Sequence, residues 1–188
     1  QTPYKGCQPP PHEQALLLSV PNQWGFRPGL CATDPYHVLL GAIEDSVEYS
    51  KPIHLSTVDL AKAFDSTENW SLRQSYKLAN LSPATCRFLS ASDGTGTASV
   101  LTPFGPSPPF KVERGVRQGE TLSPLKFLLW LEPWLQSLDK KFPTHGYQLQ
   151  NDGPRVCVLA YADDIAIVGK THEEVQEIMD SLCTFLHS

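Results

Sequence analysis

An α+β fold, with an antiparallel sheet backed by helices, is predicted by three features of this sequence. Apolar residues recur at helical spacing in several stretches, and strand-like alternation covers residues 54–60. Two apolar runs flank the acidic tetrapeptide at residues 161–164, which is typical of a β-hairpin with a charged tip. The chain has 188 residues, 40% hydrophobic and 19% charged, so it can bury a sizeable core and is not typical of disorder.

Helices are predicted where a capping residue precedes apolar residues at helical spacing. Thr33 or Asp34 can cap a helix that carries Pro35 at its first position and runs to about Tyr49. Its expected buried face consists of Val38, Leu39, Ala42, Ile43 and Val47. The same pattern predicts helices at 67–79, 83–91 and 125–142, the last kinked by Pro133.

A capping box at residues 171–174 opens the last predicted helix. The apolar face of this helix consists of Val175, Ile178, Leu182 and Phe185. Strands are predicted at 54–60, at 96–102 and 109–114 around a proline-rich turn, and at 155–160 and 165–168 around the acidic turn. This order of helices and strands predicts an antiparallel sheet backed by helices.

Composition limits the classes of protein that fit. The formal net charge of −5 argues against a surface that binds nucleic-acid phosphates, because such surfaces need Lys and Arg. Carboxylates at a metal site, or a basic groove outside this chain, would account for that charge. The five cysteines form no CxxC pair, which favours free thiols in a reducing compartment. An intracellular location is therefore expected, in the nucleus or cytoplasm if the source is eukaryotic. No apolar run approaches the ~18 residues of a membrane span, and the opening Gln1 indicates an excerpt of a longer or processed product.

Three carboxylates call for an explanation. Asp163 and Asp164 are adjacent between two apolar strands, where like charges repel unless a cation compensates them. Asp59 lies near the end of another predicted strand, so all three meet if that strand neighbours the hairpin. Mg²⁺ prefers such oxygen ligands, and two Mg²⁺ ions can activate a hydroxyl and hold a leaving pyrophosphate. The alternative is an exposed acidic turn and an unrelated acidic strand end.

A glycine-bracketed loop precedes the long helix at Ser123-Pro124. Gly115 and Gly119 permit close approach of the backbone to a substrate. Within the loop, Arg117 could meet a phosphate and Gln118 could bond a base or sugar. An ordinary strand-to-helix connection is the alternative for this loop taken alone.

Four tracts in this order resemble the reverse transcriptases of non-LTR retrotransposons and group II introns. They are residues 22–29 (NQWGFRPG), 58–65 (VDLAKAFD), 115–124 (GVRQGETLSP) and 161–164 (YADD). The resemblance implies a right-hand polymerase palm with part of the fingers and no thumb. It implies one partial domain over 1–188, with about 1–50 a finger-to-palm segment and about 51–188 the palm with inserted finger helices.

The resemblance also implies roles for individual residues. Asp59 and Asp163 would bind both of two Mg²⁺ ions (Mn²⁺ is possible), with Asp164 assisting. Phe64 would be a steric gate that selects deoxynucleotides. The nucleotide pocket would comprise Leu60, Lys62, Ala63, Phe64, Gln118 and Gly119. Contacts to primer or template would come from Arg27, Arg117, Tyr161 and Ala162.

The function implied is RNA-directed DNA polymerase, with an RNA template, a DNA primer or RNA–DNA hybrid, and dNTP as partners and no membrane. Departures from the family pattern are Glu120-Thr121 where Asp-Pro is usual, and Lys126 and Trp130 in the long helix. We expect the excerpt alone to be inactive or very weak. The alternatives are an RNA-dependent RNA polymerase palm, a decayed nucleic-acid-binding module, and a generic α+β domain with acidic turns.

Overall fold

The computed structural model of the protein describes residues 22–60, 63–93, 97–111, 115–116, 121–150 and 152–187. The described helices are α1 Thr33–Glu48, α2 Ala63–Ser66, α3 Asn69–Leu78, α4 Pro83–Ser92, α5 Ser123–Lys141 and α6 His172–Leu186. The described strands are β1 His54–Asp59, β2 Thr97–Ala98, β3 Leu101–Thr102, β4 Gly105–Pro106, β5 Phe110–Lys111, β6 Tyr147–Gln148, β7 Arg155–Val156, β8 Val158–Tyr161 and β9 Asp164–Gly169. The predicted order of helices and strands is confirmed, with α2, β4 and β6 as additions. The predicted strand 96–102 is divided into β2 and β3, and the predicted strand 155–160 into β7 and β8.

The central sheet is antiparallel with strand order β1-β9-β8. β8 and β9 form the predicted hairpin, in which Tyr161 lies opposite Asp164. β1 pairs with β9 from His54 opposite Gly169 to Asp59 opposite Asp164. The strand that ends in Asp59 is therefore the direct neighbour of the acidic hairpin. Around the proline-rich turn, β2 pairs with β5, as predicted, whereas β3 pairs with β4, a stretch that was predicted as part of the turn. Residues 96 and 112–114 of the two predicted strands lie outside the described part of the chain.

The two faces of this sheet are covered by different helices. On one face, β9 contributes Ile165 and Ile167 to a core shared with buried residues of α3, α5 and α6. On the other face, β9 contributes Val168 to a smaller core that includes Ala42 of α1. The alternation follows from the period of two along a strand, which sends successive side chains to opposite faces. Both faces are buried over β9, so its register with β1 is fixed by packing on two sides.

The buried face of α1 differs from the prediction. Ala42 is buried and Val38 and Leu39 pack against the smaller core, but Ile43 and Val47 are 37% and 76% exposed. Two polar residues of α1, Asp45 and Ser46, are buried in their place. The cap prediction was also wrong, since Ala32 occupies the N-cap and Asp34 accepts a hydrogen bond from the backbone N–H of Cys31 at 2.6 Å.

Hydrogen bonds explain why Asp45 is buried. Its carboxylate accepts from the Tyr147 hydroxyl at 2.7 Å and from the Gln150 backbone N–H at 2.8 Å, and Lys51 Nζ lies 3.3 Å away. The Tyr147 hydroxyl, more than any other contact, lowers the pKa of Asp45. Burial, reinforced by the Asp45 carboxylate, raises the pKa of Tyr147 to about 12. The hydrogen-bonded pair of Asp45 and Tyr147 therefore connects α1 to β6.

The capping box of α6 is confirmed in one of its two bonds. Thr171 Oγ1 accepts from the Glu174 backbone N–H at 3.3 Å. The Glu174 carboxylate accepts instead from the backbone N–H groups of Lys170 at 3.0 Å and Gly146 at 3.2 Å. Burial raises the pKa of Glu174, but these backbone bonds outweigh burial and the net shift is downward. The predicted apolar face of α6 is confirmed, with Val175, Ile178 and Leu182 buried and Phe185 packed against the larger core.

The long helix α5 contains Pro133 in its interior and a charged residue in its buried face. Lys126 is 1% exposed, and its Nζ lies 3.2 Å from Oδ1 of Asp93, which is also buried. The same Asp93 oxygen accepts from the Tyr76 hydroxyl at 3.0 Å. The helices α3 and α5 and the end of α4 are thus joined by a buried ionic contact.

None of the described helices is long and apolar enough to cross a membrane. Where the structure describes them, the cysteines are free thiols, as expected.

Candidate active site

Two of the three predicted carboxylates, Asp59 and Asp164, lie side by side on adjacent strands. Asp59 ends β1 and Asp164 begins β9, and the two are direct partners in the antiparallel register. Directly opposed residues in such a pair project to the same face of the sheet, with Cα atoms about 4.5–5.5 Å apart. Both side chains are exposed, and Asp163 is half-buried in the turn before Asp164. Like charges directly opposite each other destabilise a sheet, so this pair favours a bound cation.

The donor chemistry of this site fits Mg²⁺. Within the described residues, no three acidic, His or Cys side chains converge closely enough to hold a metal ion alone. Mg²⁺ sites for phosphate substrates commonly use one or two carboxylates and take their remaining ligands from phosphate and water. The Asp59 and Asp164 pair meets that requirement, with Asp163 adjacent.

A cavity of about 470 Å³ lies beside the acidic pair. It is lined from the sheet by Asp59, Tyr161 and Asp164, and from α1 by Pro35, Tyr36 and Leu39. The cavity is therefore largely apolar, with the two carboxylates among its few polar side chains. This composition is common in ligand sites, where a few polar groups orient a substrate against an apolar lining.

The turn itself is held by a residue that sequence reasoning missed. Ala162 adopts φ +56°, a left-handed conformation that non-glycine residues rarely take, and it is 4% exposed. Gln23, 3% exposed, lies against it. Gln23 Oε1 accepts from the Ala162 backbone N–H at 2.9 Å, and Gln23 Nε2 donates to the Ala162 carbonyl at 3.4 Å. The signal in the sequence was the tract 22–29, from which only Arg27 was given a role.

Of the predicted nucleotide-pocket residues that the structure describes, two are buried and one is half-buried. Leu60 and Ala63 are buried in the larger core at 8% and 4% exposure. Phe64 is half-buried and its ring centroid lies 4.8 Å from that of Phe127. The Phe64 carbonyl accepts from the Val116 backbone N–H at 2.6 Å, which joins the start of the glycine-bracketed loop to α2.

Four predicted residues lie outside the described part of the chain, namely Lys62, Arg117, Gln118 and Gly119. Of the remaining predicted contacts to primer or template, Tyr161 is half-buried and borders the cavity. Arg27 is half-buried and its Nη1 donates to the Gln23 carbonyl at 2.8 Å. The Arg27 side chain is therefore anchored to the residue that bonds to the turn 161–164, and it has a defined direction.

An antiparallel sheet with an acidic hairpin, backed by helices on both faces, defines the palm of a right-hand polymerase. The chain belongs to the reverse transcriptase family: the profile described as "Reverse transcriptase (RNA-dependent DNA polymerase)" matches residues 13–188. The predicted family and its non-LTR type are confirmed.

Relatives from mobile elements support the non-LTR assignment. The chain is 25% identical over 167 residues to the Pol polyprotein of the type-2 retrotransposable element R2DM of Drosophila melanogaster, covering 88% of this chain and 15% of that protein. It is 30% identical over 122 residues to the Pol polyprotein of the type-1 element R2 of Popillia japonica, covering 64% of this chain and 17% of that protein. The chain thus spans less than a fifth of the length of these relatives.

A solved structure supports the predicted fold. Apo telomerase from Candida tropicalis, truncated from its C-terminal domain, matches with a TM-score of 0.67 over 92% of this chain and 35% of that chain. The sequence identity is 14%, so the likeness concerns the fold alone. The right-hand polymerase fold, with palm and part of the fingers, is confirmed.

Proposed function

We propose that this chain is the catalytic core of an RNA-directed DNA polymerase that adds deoxynucleotides to a primer 3′ hydroxyl. The observation that carries the proposal is the pairing of Asp59 with Asp164 at the mouth of a cavity. In this proposal the chain is one partial domain, with a finger-to-palm segment to about residue 50 and the palm, with finger helices inserted, from about residue 51. The RNA template, the primer and the dNTP are the corresponding partners.

The carboxylates act as an oxygen cage for two Mg²⁺ ions, with Mn²⁺ as an alternative. Asp59 and Asp163 would hold the ions, and Asp164 would assist. When bound, the ions would favour deprotonation of the primer hydroxyl and would neutralise charge on the departing pyrophosphate. Phosphoryl transfer depends mainly on position and electrostatic stabilisation, so the protein's task is to hold these side chains still. The paired ends of β1 and β9 provide a rigid support for that task.

The other proposed residues orient the substrates. Phe64 closes the space beneath the sugar and excludes a 2′ hydroxyl, and its contact with Phe127 gives the ring a fixed backing. Tyr161 borders the cavity from the sheet side and contacts the primer end. Gln118 and Gly119 approach the incoming base. The backbone bond between Val116 and Phe64 supports the proposal, because Val116 directly precedes the loop residues in sequence.

Primer extension tests this proposal. The full-length protein is given an RNA template, a labelled primer, dNTPs and Mg²⁺ or Mn²⁺, and is compared with its Asp59→Asn, Asp163→Asn and Asp164→Asn variants. We expect extension by the wild type and a loss of about 10²-fold or more in each variant, because metal coordination contributes several kcal/mol to the transition state. Asp139→Asn, an exposed acid on α5, is the matched control and should keep activity.

The outcomes separate the proposal from its alternatives. Asn variants as active as the wild type would exclude a role for the carboxylate pair. RNA binding without extension by the wild type would favour a nucleic-acid-binding module. Ribonucleotide addition in preference to deoxynucleotide addition would favour an RNA-dependent RNA polymerase.

A further inference from the structure

We propose that Gln23 is a positioning residue for the reaction, which holds the turn 161–164 in its working conformation from outside the hairpin. The inference rests on the proposed polymerase function. It assigns a task to a side chain that contacts neither nucleotide nor metal in that function. Three observations support it: the backbone conformation of Ala162, the hydrogen bonds of the Gln23 amide, and the close packing of Gly25 against the turn.

The turn adopts a conformation that its own sequence does not favour. A turn with a positive φ is usually built with Gly or Asn, and here the residue is Ala162 at φ +56°. Left-handed alanine persists only where the surroundings hold it in place. The direction in which the Asp163 side chain leaves the turn depends on that backbone angle. Loss of the support would therefore move a carboxylate that the reaction needs.

The Gln23 amide supplies that support from a distant part of the chain. Its oxygen accepts from the backbone N–H groups of Ala162 at 2.9 Å and Gly25 at 2.8 Å. Its nitrogen donates to the Ala162 carbonyl. Both backbone groups of Ala162 are thus engaged by one buried side chain. The flanking backbone is joined to β8 as well, since Trp24 N–H donates to the Ala160 carbonyl and Ala160 N–H to the Asn22 carbonyl, both at 2.8 Å.

Close approach of the two backbones depends on Gly25. A Cβ at this position would lie 2.5 Å from the Ala162 nitrogen and 3.1 Å from the Tyr161 carbonyl carbon. Contacts this short with backbone atoms require the segment to move away from the turn. A glycine here and a glutamine two residues earlier therefore act together, one permitting contact and the other bonding across it.

The test is a double-variant cycle between Gln23 and Ala162 in primer extension. Gln23→Ala should lower kcat by about 10²-fold, the loss expected when a reacting group is displaced by about 1 Å. The KM for dNTP should change by less than about threefold, because the nucleotide pocket is intact. Ala162→Gly removes the steric cost of positive φ, so the same Gln23→Ala change made in an Ala162→Gly background should cost about tenfold or less.

The readouts distinguish positioning from a general loss of structure. Gln176→Ala, an exposed glutamine on α6, is the matched control and should leave kcat within about twofold. If Gln23→Ala does not fold, Gln23→Met, which keeps the length of the side chain without its polar atoms, replaces it. A loss of kcat that is equal in both Ala162 backgrounds, or a loss below about threefold, would overturn the proposal.

Hydrogen exchange gives a readout that does not need activity. The Ala162 amide should exchange on the order of tenfold faster in Gln23→Ala than in the wild type, because a buried N–H has lost its acceptor. The Ile167 amide in the middle of β9 should be unchanged. An inactive wild type with this pattern would reject the polymerase proposal and retain Gln23 as the support of the turn. Equal protection of Ala162 in both proteins would reject the support itself.

Discussion

Replacing Lys126 by Met should destabilise the protein strongly, although it makes α5 more apolar. The Lys126 and Asp93 side chains are 1% and 0% exposed and lie 3.2 Å apart. Within the described residues, Asp93 Oδ2 finds no hydrogen-bond partner, so the cation is a major compensation for this carboxylate. Removing one partner of a buried ion pair typically costs about 3–5 kcal/mol, because the other charge stays buried. At about 2–4 °C per kcal/mol for a chain of this size, the melting temperature should fall by about 6–20 °C.

Denaturant unfolding followed by tryptophan fluorescence measures this change in the free energy of unfolding. Lys140→Met, an exposed lysine on the same helix, is the matched control and should stay within about 0.5 kcal/mol of the wild type. Adding Asp93→Asn to Lys126→Met removes the stranded charge and keeps an oxygen for the Tyr76 hydroxyl. The double variant should therefore be more stable, by on the order of 2 kcal/mol, than the sum of the two single destabilisations predicts. A Lys126→Met protein within about 1 kcal/mol of the wild type would refute the ion pair as a structural element.

Two further results are expected. Phe64→Val should raise ribonucleotide relative to deoxynucleotide incorporation by about 10–100-fold in a primer-extension competition. The control Phe88→Val, at a side chain on α4 that is 65% exposed, should leave this ratio unchanged. An unchanged ratio in Phe64→Val would count against the steric gate. Stability contributed by Tyr147 should be complete below pH 10 and decline as pH rises towards about 12, because the folded pKa is raised above the unfolded value of 10.0. The free energy of unfolding, measured between about pH 9 and about pH 12, should not show this decline in the Tyr147→Phe variant. Both proteins should carry Cys157→Ser, since burial raises the pKa of that thiol to about 11; an equal decline in both would contradict the assignment.

Local patterns predicted most of the fold, because the relevant forces act between near neighbours in sequence. The hairpin followed from two apolar runs around an acidic turn, and α6 followed from Thr171 and an apolar face. The burial of α1 was mispredicted because the partner of its polar residue, Tyr147, lies 102 residues away. Periodicity alone cannot show that a buried hydroxyl will draw Asp45 inward and leave Val47 in solvent.

The candidate site divides in the same way. Its acidic residues stood out because adjacent carboxylates between apolar strands are costly without a cation. Their pairing could be expected, but the register of Asp59 with Asp164 needed the structure. The part played by Gln23 was not predictable from its neighbours, since nothing local marks a glutamine as the partner of a turn near the other end of the chain.

The distance in sequence between Gln23 and Ala162 also sets the time at which a working site can exist. The two residues are 139 positions apart, and ribosomes add about 5–20 residues per second. A newly made Gln23 therefore waits about 7–28 s before its partner has been synthesised. Contacts of this range are formed late in folding, after the entropy of closing a long loop has been overcome. A nascent chain that stops before the hairpin carries the first aspartate and the supporting glutamine, yet it has no turn to support.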